Sequence, residues 1–451
     1  MNEKILELLK SKDYSALKAL LAGENPQDIA SAITKLDEEQ IPIVFRVLPK
    51  ELAAEAFVEM DPDGQELLIK SFSDVQLKQL FDELYLDDTV DIIEEMPANV
   101  VKRILRSTDL ETRCQINELL HYPEDSAGSI MTTEYVTLRP AMTVEEAILR
   151  IRRTGIDKET VYTCYVTSSD SILLGVITVK DLLVANDDAI VGDIMDTHVI
   201  YAETNQDKEN VAREMAKYDF LAIPVVDNEK RLVGIVTFDD AIDVIEDEAT
   251  EDIEKMAAIL PSDKPYLKTG VLDTWKKRIP WLLLLMISAT FTGQIITNFE
   301  SALAGSVALT AFIPMLMDTG GNSGSQASVT IIRGLALQEI NMKDILNILW
   351  KELRVSLLCG VSLACANFAK IMLVDNLVFH NSVSVPIAAV VCITLVVVVF
   401  CAKLVGSTLP ILAKRIGFDP AVMASPFITT IVDAISLLVY FNIAKLMITN
   451  L

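Results

Sequence analysis

The sequence predicts a multidomain membrane protein with four parts: an all-α N-terminal helical stack, a tandem α/β pair, a connecting helix and a five-helix transmembrane domain. Three observations lead to this fold class. Charge and hydrophobicity are separated along the 451 residues, a segment of about 60 residues is repeated, and five long apolar stretches follow the repeat. The predicted boundaries are 1–128 for the stack, 129–189 and 190–248 for the pair, 249–278 for the connecting helix and 279–451 for the membrane domain.

Charge is concentrated in the N-terminal part of the chain. The protein has 39 Lys and Arg and 64 Asp and Glu residues, a net charge of −25, yet 51% of its residues are hydrophobic. Residues 279–451 carry 9 basic and 8 acidic side chains, so residues 1–278 carry 30 basic and 56 acidic ones, a net charge of −26. Such a surface attracts cations and repels phosphate backbones, which argues against nucleic acid as a partner.

Residues 1–128 are predicted to form short helices throughout. Apolar residues recur at spacings of three and four, and Asn25-Pro26, Asp61-Pro62 and Met96-Pro97 separate the runs. Ser73 and Gln76 fit a capping box, in which two side chains satisfy free N–H groups of the first helical turn. Short consecutive helices bury a core only between neighbours, so a helical stack is expected.

The next part contains an internal repeat. Residues 130–133 (IMTT) are echoed by residues 194–197 (IMDT), and residues 174–181 (LGVITVKD) by residues 233–240 (VGIVTFDD). Each copy predicts an extended segment, a helix, two strands and a second helix. The two copies therefore form a tandem α/β pair.

Local signals define the elements of this pair. Thr143 and Glu146 form a second capping box, and residues 222–226 and 232–236 predict a hairpin. The repeated endings GVITxxD and GIVTxxD make the pair resemble tandem CBS domains. The resemblance implies a regulatory role, and the alternative is a purely structural α/β pair.

The second copy leads into the densest acidic run of the chain. Nine of the sixteen residues from Asp239 to Glu254 are acidic, while Ile242, Ile245 and Ile253 mark an apolar face at helical spacing. An amphipathic helix with an anionic face is predicted. That face is either a solvated surface or a cation-binding one, and its position just before the membrane part favours cation binding.

Five hydrophobic stretches are long enough to cross a bilayer, which takes about 20 helical residues. They span Ile279–Phe299, Ala302–Leu337 with a break, Val355–Val374, Val385–Leu412 and Ala421–Ile448. Nine Lys and Arg residues flank them on the side of the acidic domains, and only Lys370 and Lys445 lie near the other side. The positive-inside rule predicts a multi-pass protein of the plasma (inner) membrane with a cytoplasmic N-terminus and an extracytoplasmic C-terminus.

Two polar features lie inside these stretches. Asp433 has no basic residue within one helical turn, and a carboxylate at membrane depth costs at least about 2.5 kcal/mol, so it is expected to face an ion pathway or a water-filled cavity. The alternative is that Asp433 is protonated, or paired with Lys403 or Lys445. Residues 318–326 (DTGGNSGSQ) are expected to line a pore or to serve close helix packing alone.

The order of these parts closely resembles the MgtE family of magnesium channels over essentially the whole chain. The motifs at 314–326 and 426–433 carry the resemblance, and Ser425 departs from it, because the family often has Asn before this proline. The resemblance implies a Mg²⁺-selective channel in the bilayer, built as a homodimer whose second and fifth spans line a central pore. Asp433 of each subunit would face the axis, and paired carboxylates suit Mg²⁺ because this ion sheds water reluctantly and prefers oxygen ligands.

The same resemblance implies a gate. The family senses cytosolic Mg²⁺ through acidic residues between its soluble parts, so bound Mg²⁺ brings acidic faces together and closes the pore. The matching regulatory residues are Glu55, Asp87, Asp91, Asp207, Glu209, Asp219, Asp240, Asp243, Glu248, Glu251, Asp252 and Asp419.

ATP is the second ligand that the resemblance suggests, as a modulator. Thr178, Lys180 and Asp181 are the candidate contacts, with Asp181 placed for a ribose and Lys180 for a phosphate. Asp240 occupies the equivalent position of the second copy, so it has two competing interpretations, as a Mg²⁺ ligand and as a nucleotide contact.

Other functions make different demands on the sequence. An ion-coupled secondary divalent-cation transporter would use Asp433 as a relay and stays open as the alternative. An enzyme is not expected, because the chain has three His residues and neither an H-E-x-x-H nor a C-x-x-C motif. A pure Mg²⁺ sensor would not require Asp433.

Overall fold

A computed structural model describes residues 1–262, 266–267, 269–299, 307–380, 383–423 and 425–447. The chain divides into two compact units, Met1–Glu246 and Asp247–Leu451. The division falls inside a single helix, Phe238–Met256.

The first unit begins with short helices whose ends are fixed by caps and prolines. Asn25 accepts a hydrogen bond from the Gln27 N–H and is followed by Pro26, and Ser73 and Gln76 form the predicted capping box. The helices are α1 (Asn2–Ser11), α2 (Tyr14–Leu21), α3 (Pro26–Ile33), α4 (Ile41–Phe45), α5 (Lys50–Val58), α6 (Pro62–Ser71), α7 (Asp74–Phe81), α8 (Leu86–Glu95), α9 (Ala98–Ser107) and α10 (Leu110–Leu119).

These helices pack as a stack. Helix α3 packs on α5, α5 on α7 and α7 on α9, so every second helix lies in one layer. Phe57 is fully buried in the core, with its ring edge-to-face against Phe45 at 6.1 Å and Phe81 at 6.2 Å. The predicted all-α helical stack is confirmed.

The α/β pair contains two small sheets of the same topology. Their strands are β1 (Thr137–Leu138), β2 (Thr163–Thr167) and β3 (Leu173–Thr178) in one sheet, and β4 (Ala202–Glu203), β5 (Ala222–Val226) and β6 (Leu232–Thr237) in the other. In each sheet the first strand is parallel to the second, and the second is antiparallel to the third. Helices α11 (Val144–Thr154), α12 (Val179–Val184), α13 (Val191–Ile194) and α14 (Lys208–Tyr218) complete the pair.

The two copies exchange backbone contacts through their repeated motifs. Thr132, from the first IMxT motif, bridges to Ile235 in β6, and Asp196, from the second, bridges to Val176 in β3. A Cβ at Gly175 would lie 2.8 Å from the Asp196 carbonyl oxygen, so glycine is required for this approach. The two repeated motifs therefore belong to one structural device, which locks the copies together.

The acidic run forms the single helix α15 (Phe238–Met256). It starts at Phe238, directly after β6, whereas the predicted connecting segment starts at residue 249. The helix therefore begins within the second α/β copy and continues into the connecting segment. The predicted segment 249–278 contains the end of α15, the non-helical residues 257–262 and the first turns of the next helix, and residues 263–265 and 268 lie outside the described chain.

The second unit is helical apart from its connections. It contains the end of α15, α16 (Val271–Asn298), α17 (Val307–Thr310), α18 (Ile313–Ala336), α19 (Ile345–Lys370), α20 (Val385–Ile416) and α21 (Ser425–Met447). Short turns of other helix types extend α19 and α21, over Met342–Asp344, Ile371–Asp375 and Pro420–Met423. Its core includes Tyr440, whose hydroxyl donates to the Leu309 carbonyl oxygen at 2.9 Å.

Four of the described helices are long and apolar enough to cross a membrane: Val271–Asn298, Met342–Asp375, Val385–Ile416 and Pro420–Met447. Helix α18 has 24 residues and corresponds to the predicted second span. Its glycines and polar side chains lower its mean hydropathy below that of the other four helices, although it is long enough to cross a membrane. The predicted start of the second span, Ala302, and the predicted end of the fifth span, Ile448, lie outside the described residues.

Helix bounds differ from the predicted spans where charged residues extend a helix. Helix α16 begins at Val271, eight residues before the predicted Ile279, and carries Lys276, Lys277 and Arg278 within its first turns. Helix α19 begins at Ile345 and includes Lys351 and Arg354. A hydropathy pattern leaves charged residues out of a predicted span. The helix itself can extend beyond the apolar span, because its backbone hydrogen bonds also form in water.

Candidate functional site

Five carboxylates come together in the first unit, and we call them the acidic cluster. Asp87, Asp88 and Asp91 lie in α8, Asp240 lies in the first turn of α15, and Glu159 lies in the segment before β2. Each of them acts electrostatically on, or is acted on by, others of the five. The helical stack and the α/β pair both contribute to the cluster.

Burial and like charge favour the protonated forms of these groups. Burial, supported by the neighbouring carboxylates, raises the pKa of Asp87, Asp91 and Asp240 to about 7, of Asp88 to about 8 and of Glu159 to about 9. The Asp91 side chain is open to solvent although protein surrounds much of it, whereas Asp87 is only 8% exposed. Solvent screens an exposed charge, so the shift at Asp91 is screened more strongly than the shift at buried Asp87.

Hydrogen bonding in the cluster is incomplete. Among the described residues, Asp87 Oδ1 and Glu159 Oε2 are buried and accept no hydrogen bond from any donor. Asp240 is better satisfied, because the Thr237 hydroxyl donates to its Oδ2 at 2.5 Å. Buried anionic oxygens without partners cost free energy, and a cation would relieve that cost.

The donor set of the cluster suits a hard cation. All of its side chains offer carboxylate oxygens, which Mg²⁺ and Ca²⁺ prefer. Within the described residues, however, no three His, Cys, Asp or Glu side chains are placed to hold a metal ion together. In this arrangement the cluster attracts cations electrostatically, and a hydrated ion fits it better than a fully dehydrated one.

Four other predicted regulatory residues of this unit have local roles. Glu55 is exposed on α5, Asp207 caps α14 by accepting from the Asn210 N–H, Glu209 pairs with Arg213, and Asp219 ends α14 with a φ of 55°. None of the four is among the charges that act most strongly on the cluster. Of the predicted regulatory residues in this unit, Asp87, Asp91 and Asp240 belong to the acidic cluster.

Two members of the cluster were not predicted. Asp88 is the direct neighbour of Asp87, so its position in a doubly acidic first turn was a usable signal. Glu159 lies between α11 and β2 and belongs to no motif. Only tertiary packing brings it to α8.

The remaining predicted regulatory residues are Asp243, Glu248, Glu251 and Asp252 on α15, and Asp419 before the last span. In the second unit, Lys255 joins two of them: its Nζ lies 2.6 Å from Glu251 Oε1 and 2.7 Å from Asp419 Oδ2. Burial lowers the pKa of Lys255, but its hydrogen bonds to Asp419 and Glu251 outweigh this effect and raise the pKa overall. Lys255 is a third residue that the sequence did not single out.

Helix α18 carries polar side chains along one face. Asp318, Asn322, Gln326 and Thr330 follow at intervals of four residues, and all are exposed in the single chain. The Asn322 amide donates to Asp318 Oδ1 at 3.1 Å. We call these four residues the polar stripe, and it faces away from the glycine face of the same helix, which packs on α20 and α21.

Asp433 lies on α21, half-buried, and its charge interacts with that of Asp318 in the polar stripe. No Lys or Arg of the described chain forms an ion pair with it. Lys403 instead lies 3.8 Å from Glu352 of α19, and Lys445 lies over the Phe299 ring at 5.6 Å. The alternative that one of these lysines neutralises Asp433 is therefore wrong.

The three candidate nucleotide contacts lie together at the start of α12. Thr178 and Asp181 form a capping box, with the Thr178 hydroxyl donating to Asp181 Oδ2 at 2.5 Å, and Lys180 is exposed between them. Asp181 thus already has a structural role at the helix N-terminus, which accounts for the repeated TxxD pattern. Thr237 and Asp240 repeat this hydroxyl–carboxylate contact in the second copy.

Comparisons with known protein families cover most of the chain. The MgtE model, described as a divalent cation transporter, matches residues 313–443, and the MgtE intracellular N domain model matches residues 24–125. The CBS domain model matches twice, over residues 127–188 and 191–247. These matches include the polar stripe, Asp433 and the five residues of the acidic cluster.

Relatives with similar sequences extend over the full length. The chain is 39% identical over 447 residues to the magnesium transporter MgtE of Thermus thermophilus, covering 98% of this chain and 97% of that protein. It is 31% identical over 452 residues to the magnesium transporter MgtE of Bacillus subtilis, covering 99% and 97%.

Two solved structures are similar to the soluble part. One is the cytosolic domain of the Mg²⁺ channel MgtE in complex with ATP, at 40% identity and a TM-score of 0.52, covering 54% of this chain and 100% of that one. The other is the soluble part of a magnesium transporter, at 32% identity and a TM-score of 0.52, covering 55% and 97%.

Proposed function

Because this chain belongs to the MgtE family of magnesium transporters, we propose that it is a Mg²⁺-selective channel closed by cytosolic Mg²⁺. It imports Mg²⁺ across the plasma membrane, with its N-terminus in the cytoplasm and its C-terminus outside. Its parts are a helical N domain (1–128), two CBS domains (129–189 and 190–248), a connecting segment (249–278) and a membrane domain of five helices (279–451). The observation that carries the conducting role is Asp433, a membrane carboxylate beside the polar stripe and without a basic partner among the described residues.

The polar stripe supports a pore between two subunits. Asp318, Asn322 and Gln326 are exposed in the single chain, and polar side chains at membrane depth require water or protein partners rather than lipid. A second copy of the chain placed against this face would enclose a water-filled path between the two stripes. Asp433 of each subunit then contributes oxygen to a hydrated Mg²⁺, which keeps several of its waters when bound.

The acidic cluster supports the gate. Asp87, Asp88, Asp91, Glu159 and Asp240 hold like charges close together, and one oxygen each of Asp87 and Glu159 has no hydrogen-bond partner among the described residues. Bound Mg²⁺ would remove this repulsion and hold the helical stack on the CBS pair, while its loss would loosen the contact. The rest of the regulatory set comprises Asp243, Glu248, Glu251 and Asp252 along α15, Asp419 before the last span, and Glu55, Asp207, Glu209 and Asp219 in the first unit.

ATP is the modulator in this proposal. A similar cytosolic domain is described as a complex with ATP, and the chain is 40% identical to it. Exposed Lys180, beside the Thr178–Asp181 capping box, offers a charge for the phosphates. Binding of ATP would stiffen the CBS pair and change the Mg²⁺ concentration at which the gate closes.

Single-channel recording of the purified protein in planar bilayers tests the proposal. Mg²⁺ as the only permeant cation should give discrete currents, and raising Mg²⁺ on the side of the N-terminus should lower the open probability. Uptake that requires a proton or Na⁺ gradient and gives no discrete currents would instead identify an ion-coupled transporter. Discrete currents that ignore Mg²⁺ on that side would retain the pore and reject the gate.

A further inference from the structure

Lys255 ties the end of α15 to the segment that leads into the last span. Its ammonium lies 2.7 Å from Asp419 Oδ2, across 164 residues of chain, and 2.6 Å from Glu251 Oε1 one turn earlier on α15. Its side chain is 24% exposed, and those of Glu251 and Asp419 are 36% and 34% exposed. The three charges are thus partly shielded from water, which strengthens their attraction.

Asp419 is fixed on its other side as well. Its Oδ1 accepts a hydrogen bond from the Ala421 N–H at 2.8 Å, at the start of the short helical turn Pro420–Met423. The carboxylate that Lys255 contacts is therefore part of the ordered start of the last span. The ion pair therefore ends on the same carboxylate that accepts the hydrogen bond from this turn.

An apolar contact lies beside the ion pair. Met256, the last residue of α15, packs with the buried side chains of Ile332 on α18 and Ala421. Helix α18 carries the polar stripe, and Ala421 lies in the turn that precedes α21, so the end of α15 contacts both parts of the assigned conducting path. The ion pair and this contact hold the same helix end in place.

The charge of Lys255 is exceptional for its position. Nine of the sixteen residues from Asp239 to Glu254 are acidic, and none is basic, so Lys255 is the first cation after this run. Its single positive charge offsets half of the charge of Glu251 and Asp419, two carboxylates that family resemblance assigns to Mg²⁺. Lys255 thus supplies a fixed positive charge at a place where Mg²⁺ would supply positive charge only when it is bound.

We infer that Lys255 is a positioning residue of the gate, a tethered cation that holds the end of α15 on Asp419 without Mg²⁺ and so sets how much Mg²⁺ is needed for closure. This inference rests on the proposed Mg²⁺-closed channel. Because the ammonium of Lys255 already holds this contact together, it favours the shut state. The Mg²⁺ concentration needed for closure is therefore lower than it would be for a contact made of carboxylates alone. The lysine does not line the path of the ion, so it changes the gate and leaves conduction alone.

Single-channel recording of the full-length protein tests this inference through Lys255→Met, which keeps the length of the side chain and removes the charge. The ratio of open to closed time at a fixed low Mg²⁺ should rise about threefold or more, and the Mg²⁺ concentration for half-closure should rise with it. The current through each open channel should stay the same. Lys255→Arg should behave like the unchanged protein, because the positive charge is kept.

Lys276→Met is the matched control, because Lys276 is 69% exposed and its Nζ lies 3.6 Å from Asp273 Oδ1 one turn earlier in the same helix. It should leave the gate unchanged. Lys255→Glu should open the channel further at low Mg²⁺. The exchange Lys255→Glu with Asp419→Lys should return closure toward the original when both are compared with chelator on the side of the N-terminus, because Asp419 is itself a proposed Mg²⁺ ligand. This pair also serves if Lys255→Met does not yield folded protein.

The outcomes separate the two proposals. An unchanged gate in Lys255→Met, or no recovery in the charge exchange, would overturn the role of Lys255 while the original protein still closes with Mg²⁺. A protein that shows no Mg²⁺ current, or none that Mg²⁺ reduces, would instead reject the proposed function.

Discussion

Gly406 of α20 lies directly against the main chain of Gly324 of α18, and a methyl group at position 406 would overlap the Gly324 carbonyl oxygen. Gly324 in turn leaves room for Ile428 of α21, because a Cβ there would lie 2.7 Å from the Ile428 methyl group. The glycines of α18 thus admit two neighbouring helices on one face. The polar stripe on the opposite face owes its direction to this packing.

Gly406→Ala should therefore destabilise the membrane domain. The methyl group meets backbone, which cannot rotate away, so α18 and α20 must separate, at a cost of about 1–3 kcal/mol. Thermal unfolding in detergent should show a lower midpoint. Gly293→Ala on α16 is the control, because a Cβ there meets nothing within 4 Å and alanine favours helix, so its midpoint should stay or rise. Equal midpoints for both variants would show that the close approach is unimportant.

Lys403→Met should be destabilising because it leaves Glu352 buried without its partner. The two side chains are 7% and 13% exposed, and breaking a buried pair by removing one charge costs about 3–5 kcal/mol. Replacing both residues by Met should restore at least half of the lost stability, since no charge then stays buried alone. Unfolding in detergent of the two single variants and the double variant measures this. A double variant as unstable as the single ones would mean that the pair contributes through packing only.

Local patterns were enough to predict much of the fold. Capping boxes at Ser73 and Thr143 and the hairpin of residues 222–236 depend on residues close in sequence, and the structure has each of them. The helix capped by Thr143 runs from Val144 to Thr154. Periodicity gives the type of an element reliably, because one face must be buried, whereas its ends depend on the capping residues and turns beside it.

Long-range pairs could not be predicted in this way. Glu159 lies near Asp87, more than seventy residues earlier in the chain, and Lys255 pairs with Asp419, 164 residues later. Lys403 pairs with Glu352 and not with Asp433. The sequence shows that each of these charges exists but not which other charge it meets. Asp88 was within reach of prediction, because a carboxylate next to Asp87 in a buried helix start shares its surroundings.

The acidic cluster should make α8 less stable as pH rises when no divalent cation is present. The folded pKa values of Asp87, Asp88, Asp91, Asp240 and Glu159 are about 7 to 9, whereas unfolded carboxyls titrate near pH 4. The folded state then binds more protons between about pH 4 and 9, so its stability is fully present below pH 4 and falls through this window. Hydrogen exchange of α8 amides in the full-length protein with chelator, corrected for intrinsic rates, should show protection decreasing from pH 6 to pH 8.5.

Excess Mg²⁺ should restore that protection, and more strongly at pH 8.5 than at pH 6, because protons and Mg²⁺ compete for the same oxygens. Asp87→Asn should reduce both the pH slope and the Mg²⁺ effect. Asp109→Asn is the control: its side chain caps α10 and its pKa is lowered by hydrogen bonds from Thr112, so it stays ionised throughout this window and should not alter the slope. A slope unaffected by Asp87→Asn would place the titration outside the acidic cluster.

Asp433→Ala should abolish Mg²⁺ uptake, and Asp433→Asn should nearly do so although it keeps the shape of the side chain. Both remove the charge that stands beside Asp318 of the polar stripe and that no described lysine or arginine neutralises. A neutral amide offers a single weaker oxygen, which does not offset the cost of drawing Mg²⁺ from water. Mg²⁺ flux into liposomes with a fluorescent indicator measures the loss, after chromatography has shown that the variants are folded.

Glu339→Gln, which changes an exposed acid between α18 and α19, is the control and should conduct normally. Flux retained in Asp433→Asn with unchanged preference for Mg²⁺ would mean that selectivity lies in the amide and hydroxyl groups of the polar stripe, and Asp433 would lose its assigned role.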